Sequence, residues 1–210
     1  MTGVQTCALP ILPEAGVKEA VRFYAKQLKL PTFAHVEEAA GKFRAGDSLE
    51  SFVLALMKRE YDARQEKTRQ RRLKRAHFPL HKTLEEFDLS RLQHIQPEFI
   101  KQLASCSYID RHENLVLMGN PGTGKTHLMT ALGIKACLLG YKVQFVNAAT
   151  LASELKEARD SYQQRRLEKG IAANDLLLLD ELSYARFNQE ESELLFKITK
   201  IGRASCRERV

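Results

Sequence analysis

The chain has 210 residues, 44% hydrophobic and 28% charged, with a formal net charge of +7 at neutral pH. At roughly 100–200 residues per domain, that length holds one globular domain and a smaller module. No window approaches the roughly 18 consecutive apolar residues of a membrane helix, so the expectation is a soluble, cytoplasmic protein with no membrane partner.

Both ends read as foreign to the protein. "TGVQTCALPI" (Thr2–Ile11) and "IGRASCRERV" (Ile201–Val210) can each be written as library adapter DNA translated in frame, so residues 1–11 and 201–210 are set aside, the alternative being ordinary tails. Cys7 and Cys206 leave with them, and the net charge falls to +5. On this reading residues 12–200 are an internal piece of a longer chain. The N-terminus lacks the basic start and apolar run of a secretory signal, and the four cysteines show neither metal-type nor redox-type spacing.

Residues 12–82 are expected to form a small, all-helical module. From Pro13 to about Phe43 apolar residues recur at helical spacing (Val17, Val21, Tyr24, Ala25, Leu28), and Pro31 interrupts the pattern. A second helix is announced by Asp47-Ser48-Leu49-Glu50, with Asp47 as N-cap and Glu50 three residues on, and it presents Leu49, Phe52, Val53 and Leu56 on one face. Its character then changes. Between Lys58 and Lys82 ten Lys or Arg stand against three acids, a local charge of +7, while the residues outside it and outside the foreign ends sum to −2. Such a run is commonly a solvated helix face. Its size and isolation favour contact with a phosphate backbone, where neutralised phosphates release counterions; Arg69, Arg71, Arg72, Lys74 and Arg75 are the candidates. Phe78-Pro79 ends the helix, and Thr83 to Arg91 reads as a linker.

Residues 83–200 form the second expected domain. Leu115–Met118, Val143–Val146 and Leu176–Leu179 read as short apolar strands, each followed by helix-like sequence, which predicts a parallel sheet with flanking helices. After the first comes Gly119-Asn120-Pro121-Gly122-Thr123-Gly124-Lys125-Thr126, the G-x-x-x-x-G-K-[ST] pattern. Glycines let the backbone amides converge on phosphates, and the helix that follows presents its positive end. Lys125 is placed to reach the β- and γ-phosphates, and the Thr126 hydroxyl to ligate Mg²⁺. His127 adjoins the loop and is counted with the nucleotide-contacting residues, the plainer alternative being a ring that caps or packs within the first helical turn. The run "DLLLLDEL" then delivers Asp180 to the C-terminal edge of a strand buried on both faces, as an Mg²⁺-associated carboxylate. Glu181 beside it is placed to orient or deprotonate a water attacking the γ-phosphate. An Asp-Glu pair favours hydrolysis over transfer to a small molecule. Cys106 and Cys137 sit in apolar or helical settings and read as small buried residues rather than reactive thiols. The six histidines show no metal-ligand spacing.

The segments "RRLKRAHFPLHKTLEEFDLS", "ENLVLMGNPGTGKTHLMTALGIKACLLGYKVQFVNAATL" and "NDLLLLDELSYARFNQEESELLFKI" resemble the IstB-type ATP-binding helper proteins of insertion sequences, relatives of the DnaC helicase loaders within the AAA+ ATPases. The resemblance covers about residues 12–200. It implies an AAA+ phosphate-loop fold, ATP and Mg²⁺ as cofactors, ATP hydrolysis in the intact protein, homo-oligomers on duplex DNA when ATP is bound, and cooperation with a transposase. It carries the phosphate-loop role to Gly119–Thr126, the Mg²⁺ and catalytic carboxylates to Asp180 and Glu181, and the neighbourhood of the base to Phe87-Asp88. A helicase loader, and an interaction module that binds ATP with little turnover, are the alternatives. Family members commonly show Asp-Asp where this chain has Asp180-Glu181. The family's sensor residue and the arginine given across the subunit interface fall beyond Lys200. The sensor strand lies between the loop strand and the Asp-Glu strand, so the fold is expected to be truncated, poor at turnover and prone to aggregate through the unfilled sheet position.

Overall fold

A computed structural model describes residues 14–41, 48–88, 96–182 and 187–207. The described residues divide into two units, one up to Thr68 and one from Arg69 onward, so the division falls earlier than the expected boundary at Lys82.

In the first unit, α1 spans Glu14–Gln27. Lys29 adopts a left-handed conformation (φ 55°) and Leu30 N–H donates back to the Ala25 carbonyl at 2.7 Å, which closes the helix end before Pro31 can disturb it. A 3₁₀ turn, Pro31–His35, leads into the short α2, Val36–Ala40. The long α3 runs from Leu49 to Ala76. The expected N-cap, Asp47, lies outside the described residues; at the start of α3 Ser48 Oγ accepts from the Ser51 amide at 3.2 Å. Of the apolar faces read from the sequence, Ala25 and Leu56 are buried, whereas Val17, Tyr24, Leu28, Leu49 and Val53 stay exposed. The packing is completed by a buried carboxylate. Glu60 Oε2 accepts from the Thr32 amide (3.0 Å) and hydroxyl (2.5 Å), and Oε1 from Arg64 Nε (2.7 Å), while Arg64 also donates to the Lys29 carbonyl at 2.6 Å.

The second unit is a three-layer α/β arrangement. In chain order α4 (Pro97–Ala104), α5 (Ser107–Asp110), α6 (Lys125–Leu139), β1 (Val143–Asn147), α7 (Ala148–Asp160), α8 (Gln164–Ala172), β2 (Leu176–Asp180) and α9 (Gln189–Arg207) follow one another. β1 and β2 pair in parallel, Val143 opposite Leu176 through to Asn147 opposite Asp180. Because side chains alternate along a strand, each face serves its own core. Val143, Phe145, Leu176 and Leu178 join α4, α5, α6 and the end of α3 on one face. Val146, Leu177 and Leu179 join α7, α8 and α9 on the other. This is the burial on both faces that four consecutive leucines predict. Across the second face, Lys197 on α9 pairs with Glu168 on α8 at 2.8 Å, and Arg159 at the end of α7 pairs with Glu190.

The expected strand at Leu115–Met118 does not form. These residues have no regular structure, and Leu115, Val116 and Met118 are exposed, with only Leu117 packed on the core. An apolar run becomes a strand only when a neighbour takes up its backbone N–H and C=O groups, and the described sheet holds β1 and β2 alone. The presumed linker also differs from expectation: Leu84 and Phe87 are packed into the first core, while residues 89–91 lie outside the described set. Among the described residues no helix is long and apolar enough to cross a membrane.

Candidate functional site

The loop between Met118 and α6 follows the glycine logic of its sequence. Gly122 (φ 79°) and Gly124 (φ 87°) occupy the left-handed region, and Gly124 stands as the N-cap of α6. A Cβ at Gly122 would meet nothing within 4 Å, so the loop opens to solvent there. Thr123 Oγ1 donates to the Asn120 carbonyl at 2.9 Å and keeps the loop curled. Lys125 is folded over the same loop, its Nζ donating to the carbonyls of Gly119 (2.9 Å) and Asn120 (2.7 Å). The ammonium thus lies over the curl of the loop. Pro121 lies at the exposed crest.

Thr126, in the first turn of α6, donates through Oγ1 to Asp180 Oδ1 at 3.3 Å. Residues 54 positions apart are joined because α6 packs against β2: Gly133 lies so close to Leu178 and Phe78 that a Cβ there would stand 2.6 Å and 2.8 Å from their side chains. Asp180 ends β2, and its Oδ1 also accepts the Glu181 amide at 2.9 Å. Glu181 adopts φ 59°, an uncommon conformation for a residue with a Cβ. Such strain is worth a functional question. Its carboxylate is held from the neighbouring strand, with Asn147 Nδ2 donating to Glu181 Oε2 at 2.5 Å. The same Asn147 caps α7, its Oδ1 accepting from the amides of Ala149 (2.9 Å) and Thr150 (3.4 Å).

Sequence reasoning passed over Asn147. The signal was present: it is an Asn after an apolar strand and before a helix-like run, a preferred N-cap, directly opposite Asp180 in the sheet. For His127 the structure shows partners outside the loop. Its Nε2 donates to the Thr83 carbonyl at 3.2 Å, and its ring stands edge-on to Phe87 at 4.9 Å between centroids. Cys106 and Cys137 are both buried thiols, as expected. Burial raises the Cys137 pKa to about 11 and that of Cys106 above its ordinary value, so neither is a ready nucleophile.

The five basic candidates do not share one face of α3. At 100° per residue, Arg71, Lys74 and Arg75 fall within an arc of about 100° on the outward side, while Arg69 projects from the opposite side. Arg72 is half-buried and lies against the C-terminal end of α6, its guanidinium 3.9 Å from where a Gly140 Cβ would be. A cation there complements the helix dipole. Arg75 also lines a cavity of about 580 Å³ with His77, Gln144, Glu157 and Arg166, away from the glycine-rich loop.

The family model for IstB-like ATP-binding proteins matches residues 24–205. The chain is 35% identical over 147 residues to an insertion sequence IS21 protein of Pseudomonas aeruginosa named for ATP binding, a match covering 70% of this chain and 56% of that protein. It is 29% identical over 187 residues to the corresponding insertion sequence IS5376 protein of Geobacillus stearothermophilus, covering 87% and 73%. An IS21-like protein of Bacteroides fragilis strain YCH46 is 30% identical over 186 residues, covering 88% and 94%. The chain therefore spans little more than half the length of the Pseudomonas aeruginosa relative.

Proposed function

This chain belongs to the family of IstB-like ATP-binding proteins, and we propose from that premise that it is an ATP-dependent, duplex-DNA-binding helper of an insertion-sequence transposase. ATP binding with Mg²⁺ and its hydrolysis control assembly of a homo-oligomer on DNA and handover to the transposase. The observation that carries the reading is the 3.3 Å contact between Thr126 and Asp180. A hydroxyl and a carboxylate side by side, at the mouth of a glycine-rich loop, are the hard oxygen donors that suit Mg²⁺. When bound there, Mg²⁺ neutralises charge on the phosphate oxygens.

The residues divide the remaining work. The amides of Gly119–Thr126, with Asn120, Pro121, Gly122 and Thr123 forming the curl, cradle the phosphates at the start of α6. Lys125 exchanges the Gly119 and Asn120 carbonyls for phosphate oxygens, a small movement because its ammonium already lies over the loop. Glu181, fixed by Asn147, takes the proton of the attacking water. Arg71, Lys74 and Arg75 contribute phosphate contacts to DNA that read no sequence, while Arg69, on the other side of the helix, and Arg72, against the end of α6, add to the local positive charge.

ATP turnover by the protein at the length of its relatives tests the catalytic part. Glu181→Gln should retain ATP binding and lose at least about 100-fold in kcat, the usual contribution of a general base. Lys125→Ala should weaken ATP binding itself. Turnover by Glu181→Gln equal to that of the unsubstituted protein would remove Glu181 from the chemistry.

A further inference from the structure

We propose that His127 is a positioning residue that clamps the Thr83–Asp88 turn onto the phosphate loop and so couples nucleotide binding to the order of that turn. The inference rests on the reading of the loop as an ATP site and concerns a contact outside it. Three observations converge. The His127 ring bonds the Thr83 carbonyl at 3.2 Å, although the two residues are 44 positions apart. Phe87, buried in the first core, meets that ring edge-on at 4.9 Å. The same Phe87 ring also covers Gly124, so closely that a Cβ on the glycine would lie 3.1 Å from it. Within the turn, Thr83 N–H donates to Glu86 Oε2 at 3.3 Å and Phe87 N–H to the Leu84 carbonyl at 3.2 Å.

Gly124 is the last loop residue and the N-cap of α6, and His127 follows Thr126 directly. The turn is therefore fastened at both ends of the first helical turn, one contact on each side of the Lys125-Thr126 pair. A phosphate loop must be ordered when it binds, and ordering backbone costs about 1–2 kcal/mol per residue in entropy. A turn docked on Gly124 limits the loop beforehand and lowers that cost. By linkage, a nucleotide that orders the loop must stabilise the docked turn by the same factor. With the clamp removed, nucleotide binding and turn order become independent.

The test uses this chain with His127→Ala and His127→Gln, reading the Kd for ATP with Mg²⁺ and backbone amide exchange across residues 83–88 with and without nucleotide. In the unsubstituted chain ATP should slow exchange in this segment. His127→Ala should raise Kd about tenfold, equivalent to about 1.4 kcal/mol, and abolish the ATP-dependent protection. His127→Gln keeps an N–H that can reach the Thr83 carbonyl, so it should return Kd to within about threefold and restore part of the protection. Equal Kd and equal protection in His127→Ala would overturn this inference while leaving the ATP site intact. Absence of ATP binding by the unsubstituted chain would overturn both.

Discussion

Gly133→Ala tests whether α6 is seated on the sheet as closely as the site requires. A Cβ at this position would lie 2.6 Å from Leu178 Cδ1, and 2.8 Å and 3.1 Å from Phe78 Cε1 and Cζ. Carbon atoms pack at about 3.5–4.0 Å, so the methyl overlaps by about 1 Å with side chains from two separate segments, β2 and the stretch after α3. Neither yields readily. Leu178 is buried within β2, and Phe78 is held edge-on against Phe145 at 6.4 Å. Alanine improves helix propensity by about 1 kcal/mol, while overpacking costs about 1–3 kcal/mol, and the two-sided overlap puts the cost near the upper end. The net loss is about 1–2 kcal/mol, or about 2–8 °C in Tm for a chain of this size. Relief by sliding α6 away from β2 also lengthens the Thr126–Asp180 contact, so ATP affinity should fall with stability. Thermal unfolding with a urea titration, in which the midpoint shifts at constant slope, measures the first effect. A variant as stable as the parent, with unchanged ATP affinity, would refute the close seating of α6.

Glu60 makes the first unit sensitive to acid. Burial raises its pKa, but the Thr32 and Arg64 hydrogen bonds outweigh this and hold it below the ordinary value of 4.5. A depressed carboxylate stabilises the fold above that value and loses the contribution as pH falls through the folded pKa. Unfolding followed below about pH 4.5 should therefore show a loss that Glu60→Gln does not share. The two roles of Asn147 should separate by substitution. Asn147→Ala removes the α7 cap and should lower stability by about 1 kcal/mol, whereas Asn147→Asp keeps the capping oxygen and most of that stability; both lose the donor to Glu181 and should lower kcat about tenfold, and full activity in the Asp variant would contradict the orienting role. On α3, Arg71, Lys74 and Arg75 changed together to Gln should reduce the dependence of log K on log salt by about 2–3 units for duplex DNA. An unchanged slope would return that face to a solvated role.

How far the sequence reaches depends on whether a feature is local. The curl of the glycine-rich loop was legible because its glycine positions are local to the segment and need no help from the rest of the chain. Asp180 was legible because four leucines in a row demand a strand buried on both faces, and the next residue must then emerge at its end. Leu115–Met118 looked the same in composition and failed, since a strand is a relation between two segments and its ladder partner is no property of the run itself. Asn147 went unread, and so did the partner of His127, for the same reason: Glu181 and the Thr83 carbonyl are 34 and 44 residues away from them, and only the fold brings each pair together. The basic run gave the right helix but not its face, because which arginines point outward depends on where Leu73 and Ala76 meet the core.

Duplex DNA binding by the protein at the length of its relatives, with ATP, with ADP and without nucleotide, at two salt concentrations, tests the central claim most directly. The account predicts binding that requires ATP, weakens steeply with salt and shows no sequence preference. Binding that is equal in all three nucleotide states, or absent from all of them, would contradict it.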